Sequence, residues 1–510
     1  MQSTMWRHAA SPRSPLPAPL DQGRQAAVID IGSNSVRLVV YRVEGRTIWT
    51  VFNEKALAGL GRDLGATGRL SPEGVDIAMT ALRRFRAVLD GCDGADVMVV
   101  ATAAVRDAAD GPDFAARVEA ETGFSIRVLS GEEEARYAAL GVIAGQPDAA
   151  GVAGDLGGAS LELIRLAGGA ATVGATLPLG PFALGAPKPL AVERARKRID
   201  EELAPVARRF QSPEFHAVGG AWRNLALLHM VMAGYPLRVA HQYEMNRADA
   251  VDVARFVARQ SKGSLEGIEG LSRKRIEALP YAALVLEALI DHLQIERVVV
   301  SAYGLREGLL LERMPPEVRR RDPLLEGCEA LTVGRGVAPE LALALEAWMA
   351  PAFARLPPLF ERRDPILLAA ACRLADVGAR LHPDHRADLA FDQVLRAPVP
   401  GMNHVERCYL ASAAFARYTA TPTVREPETV NRLLSSERRH RARALGSAVR
   451  LGCDLSGRNA ALLDRASLAI EDDRLILRAQ AGWADMLLGE QTAKRAATLA
   501  TNLRLKLVVA

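Results

Sequence analysis

The sequence predicts an α/β protein with two similar units, followed by an all-helical domain and a small α+β unit. Three observations support this fold class. Strand-like and helix-like segments alternate from residue 25 to residue 313. The ten residues Asp30–Val39 align without a gap with Asp155–Ile164, and Asp, Gly, Ser and Leu coincide in the two copies. After residue 315 the pattern becomes almost wholly helical.

These observations divide the chain into five segments. Residues 1–24 are rich in Pro and Ser and lack the apolar stretch of a signal peptide, so a disordered tail is expected there. Residues 25–150 and 151–313 are predicted to form the two α/β units. Residues 314–444 are predicted to form the helical domain, and residues 445–510 the α+β unit.

The first unit begins with β-rich stretches on either side of a glycine-containing turn, at Ala26–Ile29 and Arg37–Arg42. Ser71 followed by Pro72 predicts a helix start, because Ser caps helices and Pro suits the first helical position. Apolar residues then recur at helical spacing, at Val75, Met79, Leu82, Phe85 and Leu89. Two short apolar runs predict buried strands at Val97–Val100 and Ile126–Leu129.

The same kinds of pattern predict the strands and helices of the second unit and of the end of the chain. Short apolar runs predict strands at Val152–Gly154, Leu161–Leu166, His216–Val218 and Val298–Val300. Helical patterns occupy Val192–Phe210 and Ile276–Leu293. The last segment is expected to contain a hairpin of Ala466–Ile470 and Leu475–Ala479, a helix over Asp485–Asn502 and a strand over Leu503–Val509.

Composition sets broad limits on function. Hydrophobic residues make up 49% and charged residues 24% of the 510 residues, which is ordinary for a globular protein. A net charge of +4 neither demands nor excludes a polyanionic partner, and no nucleic acid is expected. The five cysteines are far apart, which favours a reducing compartment, and no run reaches the ~18 apolar residues of a membrane span. We therefore expect a cytoplasmic protein without a membrane partner.

The two repeated turns are candidates for anion binding. Glycine-rich turns let backbone N–H groups approach an anion, and Gly32–Ser35 and Gly157–Ser160 both offer this with serine hydroxyls beside them. Either turn alone is more simply an ordinary hairpin turn. Each copy begins with an aspartate, Asp30 or Asp155, which either caps the turn or implies a cation such as Mg²⁺ between the carboxylate and a phosphate.

An acidic helix start, Ser130–Arg136, follows a predicted strand. Ser130 and Glu133 fit a capping box, and Glu132 suits the positive end of the helix dipole. Glu134 has no such structural explanation, although a lone glutamate is often only a solvated charge.

Taken together and in this order, the motifs resemble the exopolyphosphatase/guanosine pentaphosphate phosphohydrolase (Ppx/GppA) family. The resemblance rests on the two Asp-Gly loops and on further matching segments at Asn53–Lys55, Ala101–Arg106, Ser130–Arg136, Gly219–Gly220 and Gly304–Gly308. It covers residues 26–313 well and implies a duplicated actin-like ATPase fold of the actin/Hsp70/sugar-kinase type. The helical domain is similar to the family's HD-like domain.

The resemblance also implies roles for individual residues. Glu134 is then the general base, Arg106 stabilises charge in the transition state, and Asp155 with Glu162 holds Mg²⁺. A monovalent cation such as K⁺ is a further candidate. The implied phosphate-binding residues are Asp30, Gly32, Ser33, Asn34, Ser35, Gly157, Gly158, Ala159, Ser160, Gly219 and Gly220. Gly219–Gly220 fits equally well a turn whose only role is to start a helix. Arg306 with Glu307 is interpreted as a structural ion pair.

Three departures from the family pattern stand out. Ala159 replaces a glycine of the second loop, and Leu161 replaces a threonine whose hydroxyl would lie near the metal. In the helical domain, Ala375 stands where an HD phosphohydrolase has its histidine, before Asp376, and the chain contains no His-Asp dipeptide. We expect that domain to be non-catalytic and either to extend the substrate channel or to form a dimer interface.

The predicted function is hydrolysis of terminal phosphates from linear polyphosphate, by an enzyme that the resemblance implies is a homodimer. Guanosine pentaphosphate is the alternative substrate, with guanosine tetraphosphate as a related ligand. A non-hydrolytic sensor of polyphosphate or alarmone and, more weakly, a sugar kinase are the other hypotheses. A long polyanion needs a basic track, for which the candidates are Lys188, Arg194, Arg196, Lys197, Arg198 and Arg273–Arg275.

Overall fold

The computed structural model describes residues 4–7, 23–92, 94–186, 188–268, 276–332 and 340–510. The chain divides into two compact units, residues 1–321 and residues 322–510. The described residues contain no helix that is long and apolar enough to cross a membrane. All five cysteines are free thiols, and four of them are buried.

The first unit contains two mixed sheets and the helices that cover them. Its strands are β1 (Thr4–Arg7), β2 (Gln25–Ile31), β3 (Val36–Glu44), β4 (Thr47–Ala56), β5 (Asp96–Ala101), β6 (Arg127–Val128), β7 (Gly151–Leu156), β8 (Leu161–Ala167), β9 (Ala170–Leu177), β10 (Glu214–Val218), β11 (Tyr243–Asn246) and β12 (Arg297–Ser301). Its helices are α1 (Leu64–Thr67), α2 (Pro72–Leu89), α3 (Ala103–Asp107), α4 (Gly111–Thr122), α5 (Gly131–Gly145), α6 (Pro181–Leu184), α7 (Val192–Phe210), α8 (Gly220–Met232), α9 (Arg247–Ala258), α10 (Lys262–Glu266), α11 (Leu279–His292), α12 (Leu305–Arg313) and α13 (Pro316–Arg319).

The two sheets repeat one topology. The five-stranded sheet has the order β4-β3-β2-β5-β6, and the seven-stranded sheet has the order β1-β9-β8-β7-β10-β12-β11. In each sheet an antiparallel three-strand meander, β2-β3-β4 or β7-β8-β9, is followed by parallel strands, β5 and β6 or β10 and β12. The duplication indicated by the sequence therefore extends from ten residues to a whole sheet.

Buried apolar runs place the central strands and helices. Ala26–Ile29 in β2 are fully buried, because helices or strands cover both faces of this strand. Helix α11 is buried from Tyr281 to Ile290 and is apolar there except for the ion-paired Glu287, which makes it a core helix of the second sheet rather than a surface helix.

Helices α5 and α12 cross at very close range. A Cβ atom added to Gly141 would lie 2.1 Å from the carbonyl oxygen of Gly304, and one added to Gly308 would lie 1.9 Å from that of Tyr137. Only glycine fits at these two positions, since any side chain would collide with backbone. The crossing fixes the start of α5, which carries Glu134, against the start of α12.

Part of the predicted tail belongs to the fold. Thr4–Arg7, which were expected to be disordered, pair antiparallel with Val173–Thr176 of β9. Backbone pairing to a sheet edge needs no apolar side-chain pattern, so this four-residue strand left no signal in the sequence. The rest of the predicted tail up to residue 22 lies outside the described residues.

The second unit is mostly helical and carries one small sheet. Its helices are α14 (Pro323–Thr332), α15 (Leu341–Phe353), α16 (Asp364–Arg373), α17 (Arg386–Arg396), α18 (His404–Tyr418), α19 (Pro427–Leu433), α20 (Ser436–Ser456), α21 (Ala460–Leu463), α22 (Ala484–Leu487) and α23 (Glu490–Leu503). The sheet has the order β13 (Ala466–Glu471), β14 (Arg474–Ala479), β15 (Lys506–Val509). The predicted hairpin is present, and the expected last helix is split into α22 and α23.

The predicted border between residues 444 and 445 is wrong. Helix α20 runs without a break from Ser436 to Ser456 across that position, and residues 322–510 form one compact unit. The buried face of α20 continues through Leu445, Val449 and Leu451, so cutting there would divide one packed helix. The border was predicted between the helical stretch and the segment with the hairpin, but the helical pattern continues past it to Ser456.

The segment predicted to be HD-like shows no metal-binding arrangement among the described residues. Leu374–Asp376 form a 3-10 turn, and the buried Asp376 lies 3.4 Å from the guanidinium of Arg458. Across the described residues, no three His, Cys, Asp or Glu side chains form a group that could hold a metal ion by themselves. His382 and Asp384 form an exposed pair, which agrees with the surface turn expected there.

Candidate functional site

The two repeated turns have the same backbone geometry. The N–H of Gly32 donates to the carbonyl of Ser35, and the N–H of Gly157 donates to the carbonyl of Ser160, both at 3.0 Å. In both copies the aspartate is the second-to-last residue of the strand that enters the turn, and the serine precedes the strand that leaves it. The repeat therefore builds two superimposable loops.

A second segment braces each loop in the same way. Gly59 and Gly61 donate to the carbonyls of Asn34 and Ser33 at 3.1 and 2.9 Å. Gly180 and Phe182 donate to the carbonyls of Ala159 and Gly158 at 3.1 and 2.8 Å, which are the matching positions of the second loop. These bonds fix the loops through their carbonyl groups.

The N–H groups at the tips of the loops are left available. Among the described residues, no acceptor lies within hydrogen-bond reach of the N–H groups of Ser33, Asn34, Gly158 or Ala159. Backbone N–H groups without partners in a turn form a concave site for an anion. The paired arrangement offers two such sites.

The loops face each other across one cleft. A Cβ atom added to Gly158 would lie 3.1 Å from the Cβ of Ser33, so the two turns nearly touch at their tips. Both loops line a cavity of about 250 Å³. Asp30 and Asp155 therefore lie on opposite walls of the same groove, with Glu134 also lining it.

The third glycine pair lies in the same cavity. Gly219 has φ +112°, which disfavours other residues, and it precedes helix α8. A Cβ there would lie 2.8 Å from the carbonyl of Leu156 and 3.5 Å from Oδ1 of Asp155. Gly219 thus leaves room for the Asp155 carboxylate, which is a specific reason for glycine beyond starting a helix.

Local sequence places Glu134 at the cleft. The predicted capping box is present, because Ser130 accepts from the N–H of Glu133 at 3.1 Å and Glu133 accepts from that of Ser130 at 3.0 Å. This cap starts α5 at the cleft, and the next residue, Glu134, is 7% exposed. Its carboxylate lies 3.1 Å from Nη1 of Arg106.

The wall around Asp155 is acidic. Asp155 and Glu162 are cross-strand neighbours in β7 and β8, and Glu162 is 1% exposed. Burial raises the pKa of Glu134 to about 7, the Arg106 guanidinium opposes this, and the Asp155 and Asp30 charges add to it. Burial and the Asp30 charge raise the pKa of Asp155 to about 6. The pKa of Glu162 is also well above its usual range, through burial and then the charges of Glu134 and Asp155.

The wall around Asp30 is basic. Arg37 is the cross-strand neighbour of Asp30, and Nη1 of Arg306 lies 3.0 Å from Oδ2 of Asp30. Burial and the nearby Arg306 lower the pKa of Arg37 to about 10. Both arginines line the cavity. The interpretation of Arg306 as the ion-pair partner of Glu307 was wrong, because its carboxylate partner within 4 Å is Asp30.

Arg37 and Arg306 were not among the predicted site residues. A signal for Arg37 was present in the repeat, since it occupies the position of Glu162 in the second copy. The two loops are otherwise similar, but Arg37 is positive and Glu162 at the matched position is negative. This difference indicates that the two side chains extend from equivalent positions towards different partners. Nothing in the local sequence points Arg306 at a residue 276 positions away.

The acidic wall fits a divalent cation that is held partly by substrate. Oε1 of Glu162 is buried without a hydrogen-bond partner in the described part of the chain, next to the charges of Asp155 and Glu134. Since no three carboxylates of the described residues are grouped as ligands, we expect an ion here to be held by one or two of them. Mg²⁺ is commonly bound in this way, with waters and substrate phosphates completing its shell.

The two departures in the second loop leave it intact. Ala159 is not among the described residues with positive φ, so the missing glycine puts no strain on the turn. The side chain of Leu161 is fully buried in the core of the second sheet. A threonine hydroxyl at that position would therefore lie in the core and away from the cavity.

Several side chains of the predicted basic track are bound to other groups of the protein. Arg196 on helix α7 lies 2.6 Å from the buried Glu287, which also binds Arg255, and Arg198 donates to a backbone carbonyl. Lys197 lies 3.9 Å from Glu201. The Arg273–Arg275 run lies outside the described residues. Several of these cations therefore have structural partners.

The chain is similar to known proteins over most of its length. The model of the Ppx/GppA phosphatase family matches residues 39–317, and that of the exopolyphosphatase C-terminal domain matches residues 324–508. Exopolyphosphatase 1 of Mycobacterium tuberculosis (strain ATCC 25618 / H37Rv) is 31% identical over 309 residues, which cover 57% of this chain and 88% of that protein. Exopolyphosphatase 1 of Mycobacterium leprae (strain TN) is 30% identical over 310 residues, with 57% and 89% covered.

A solved structure supports the fold. The crystal structure of an exopolyphosphatase from Cytophaga hutchinsonii ATCC 33406 has a TM-score of 0.53 and 22% identity, and the likeness covers 56% of this chain and 96% of that chain. This likeness supports the fold of the part of the chain that it covers. The predicted duplication is confirmed by the repeated sheets, and the predicted helical C-terminal region by helices α14 to α23.

Proposed function

Because the chain belongs to the Ppx/GppA phosphatase family, we propose that it is an exopolyphosphatase that removes terminal phosphates from linear polyphosphate. One observation carries this proposal. A buried glutamate with a pKa of about 7, Glu134, lies in a cleft between two loops whose N–H groups are free to bind phosphate oxygens. A base with a pKa near neutrality can accept a proton from water during the reaction.

The chemistry follows from these positions. Ionised Glu134 orients a water molecule and takes one of its protons as the water oxygen attacks the terminal phosphorus. The new P–O bond forms while the bond between that phosphorus and the bridging oxygen breaks, and the shortened chain leaves with the electron pair. Arg106, 3.1 Å from Glu134, stabilises the charge that builds up on the phosphoryl oxygens. Loop N–H groups hold the phosphates in line with the water.

Two further groups balance the charge of the substrate. Mg²⁺ bound through Asp155 or Glu162 would neutralise the transferring phosphoryl group. Arg37 and Arg306 supply positive charge on the opposite wall, where the remaining phosphates of the chain would lie. A polyanion would otherwise be repelled by the three carboxylates that line the cavity, Asp30, Glu134 and Asp155.

Guanosine pentaphosphate is a second candidate substrate. The specific observation in its favour is that the Gly219–Gly220 pair opens into the same cavity, beside the nonpolar residues Pro181, Phe182 and Ala221. A base or ribose could pack there while the phosphates occupy the two loops. Competition between the two substrates in one assay, with the ratio of kcat/KM values as the readout, would decide which is preferred.

The central experiment compares two neighbouring glutamates. Purified protein with Mg²⁺ and long-chain polyphosphate should release orthophosphate, and Glu134→Gln should lower kcat by about 10³-fold, the usual size of a lost general base. Glu133→Gln is the matched control, because glutamine preserves the capping box and Glu133 does not line the cavity. It should keep near wild-type activity.

Other outcomes separate the alternatives. Release by Glu134→Gln at the wild-type rate would remove Glu134 from the mechanism. Tight binding of polyphosphate by the wild type without any phosphate release in Mg²⁺ would favour a sensor over an enzyme.

A further inference from the structure

A chain of hydrogen bonds lies behind the basic wall of the cleft. The hydroxyl of Tyr41 on β3 donates to Oε1 of Glu307 at 2.7 Å. Oε2 of Glu307 accepts from the N–H of Gly304 at 2.9 Å and so caps helix α12. The next residue on the chain, Arg306, lies 3.0 Å from Asp30.

These groups are buried and close enough to compete. Tyr41 is 2% and Glu307 is 7% exposed. Although burial lowers it, the pKa of Arg306 is raised by the charge of Glu307 first, and then by Tyr41 and Asp30. Two carboxylates, on Glu307 and Asp30, therefore attract one guanidinium.

Tyr41 is suited to decide that competition. Burial and the Glu307 charge hold its pKa well above its usual value of 10, so the hydroxyl keeps its proton and stays a donor. With one carboxylate oxygen bonded to Tyr41 and the other to Gly304, Glu307 has a neutral partner for each oxygen.

We propose that Tyr41 is a positioning residue for substrate binding: its hydroxyl occupies Glu307, which leaves Arg306 on Asp30 at the surface of the cleft. A phosphate chain then meets a neutralised Asp30 instead of a bare carboxylate. This inference rests on the proposed function, because it assumes that the cleft binds a polyanion.

The loss of one hydroxyl group has a defined consequence. In Tyr41→Phe the ring still packs, but Oε1 of Glu307 is buried without its donor. An unpaired buried carboxylate oxygen is costly. Arg306 is a donor that the Glu307 charge attracts, and its Nε is buried without a hydrogen-bond partner among the described residues. As Arg306 turns to Glu307, Asp30 repels the substrate, and KM for polyphosphate should rise about tenfold. The value of kcat, which depends on Glu134, should change little.

The fold provides a matched control. The hydroxyl of Tyr137 donates to Oε2 of Glu312 at 2.6 Å, which is a second, part-buried tyrosine–glutamate bond to helix α12. Glu312 also pairs with Arg136, and neither Tyr137 nor Glu312 lines the cavity. Tyr137→Phe removes a tyrosine–glutamate bond from a carboxylate that keeps an arginine partner, so it should lower stability no more than Tyr41→Phe and leave KM unchanged.

A double variant tests the mechanism directly. Glutamine at position 307 can still accept from Gly304 but carries no charge, so it does not attract Arg306. Tyr41→Phe combined with Glu307→Gln should therefore bring KM back towards the wild-type value. A purely structural role for Tyr41 predicts the reverse, since the double variant has lost two native interactions.

The experiment measures KM and kcat for polyphosphate, together with the Kd of polyphosphate by calorimetry in Mg²⁺, for the wild type and all three variants. A KM and Kd raised in Tyr41→Phe alone, and restored in the double variant, support the inference. Equal values for Tyr41→Phe and Tyr137→Phe, or no restoration, overturn it. Absence of phosphate release by the wild type would count against the proposed function only, because the Kd comparison needs no turnover.

Discussion

The two walls of the cleft are copies of one structure with opposite charge. Gly32–Ser35 and Gly157–Ser160 have the same internal hydrogen bond and are braced by equivalent pairs of N–H groups. The cross-strand neighbour of the first aspartate is Arg37, whereas that of the second is Glu162. The duplication thus supplied two loops of one shape, and Arg37 and Glu162 at the matched position give them different electrostatic environments.

The difference has a consequence for protonation. Asp30 lies 3.0 Å from Arg306, whereas the cross-strand neighbour of Asp155 is Glu162. Burial and the Asp30 charge raise the pKa of Asp155 to about 6. The acidic copy is suited to a cation and an activated water, and the basic copy to the rest of a phosphate chain. The following predictions test this division, beginning with the largest effect.

Equivalent substitutions of the two aspartates should have unequal effects. Asp155→Asn removes a proposed cation ligand, so activity should fall by about 10²-fold or more and half-maximal activity should need more Mg²⁺. Asp30→Asn should cost about tenfold or less, because Arg306 loses its partner but can bind phosphate itself. The measurement is kcat against Mg²⁺ concentration for both variants. Equal losses would show that the two copies share one role.

The raised acidic pKa values should make stability depend on pH in the absence of Mg²⁺. The pKa of Glu134 rises from 4.5 to about 7 on folding, so its protonation stabilises the fold below pH 4.5 and this contribution is lost as pH rises to 7. From pH 5 to pH 8, the stability of Glu134→Gln relative to the wild type should therefore rise by roughly 2–3 kcal/mol. Urea unfolding at both pH values, with metal chelated, measures this.

Glu133 provides a control of opposite sign. Although burial raises its pKa, bonds to Ser130 and Arg127 lower it overall, so its ionised form stabilises the fold and that contribution disappears as pH falls. Glu133→Gln should lose stability at pH 8 relative to pH 5. The same trend in both variants would contradict the assigned environments.

The smallest effect is expected where the second loop departs from the family. Since Ala159 does not have positive φ, Ala159→Gly relieves no strain and only makes the unfolded chain more flexible. Stability should fall by about 0.5–1 kcal/mol, and kcat/KM should stay within about twofold of the wild type. A tenfold gain in activity would mean that the alanine methyl group restricts the loop.

Much of the fold was readable from local patterns. Helix α7 begins and ends at the predicted residues, Val192 and Phe210, because its apolar positions keep a helical period throughout. The capping box at Ser130 was found because it is a contact between residues three apart. The strand Thr4–Arg7 was missed because its partner strand lies far away in the sequence. The continuity of α20 was missed because the predicted border between residues 444 and 445 lies inside one helical pattern.

The sequence by itself determined the two loops with their aspartates, because repeats and turns depend on residues close together in the chain. For the same reason it showed that Glu134, unlike Glu132 and Glu133, has no role in starting helix α5. Only the tertiary structure decided how charge is distributed between the walls. Asp30 and Arg306 are 276 residues apart, and Tyr41 and Glu307 are 266 apart. Their effect on each other depends on burial and on distances of about 3 Å, which are set by packing of α12 against the first sheet and helix α5.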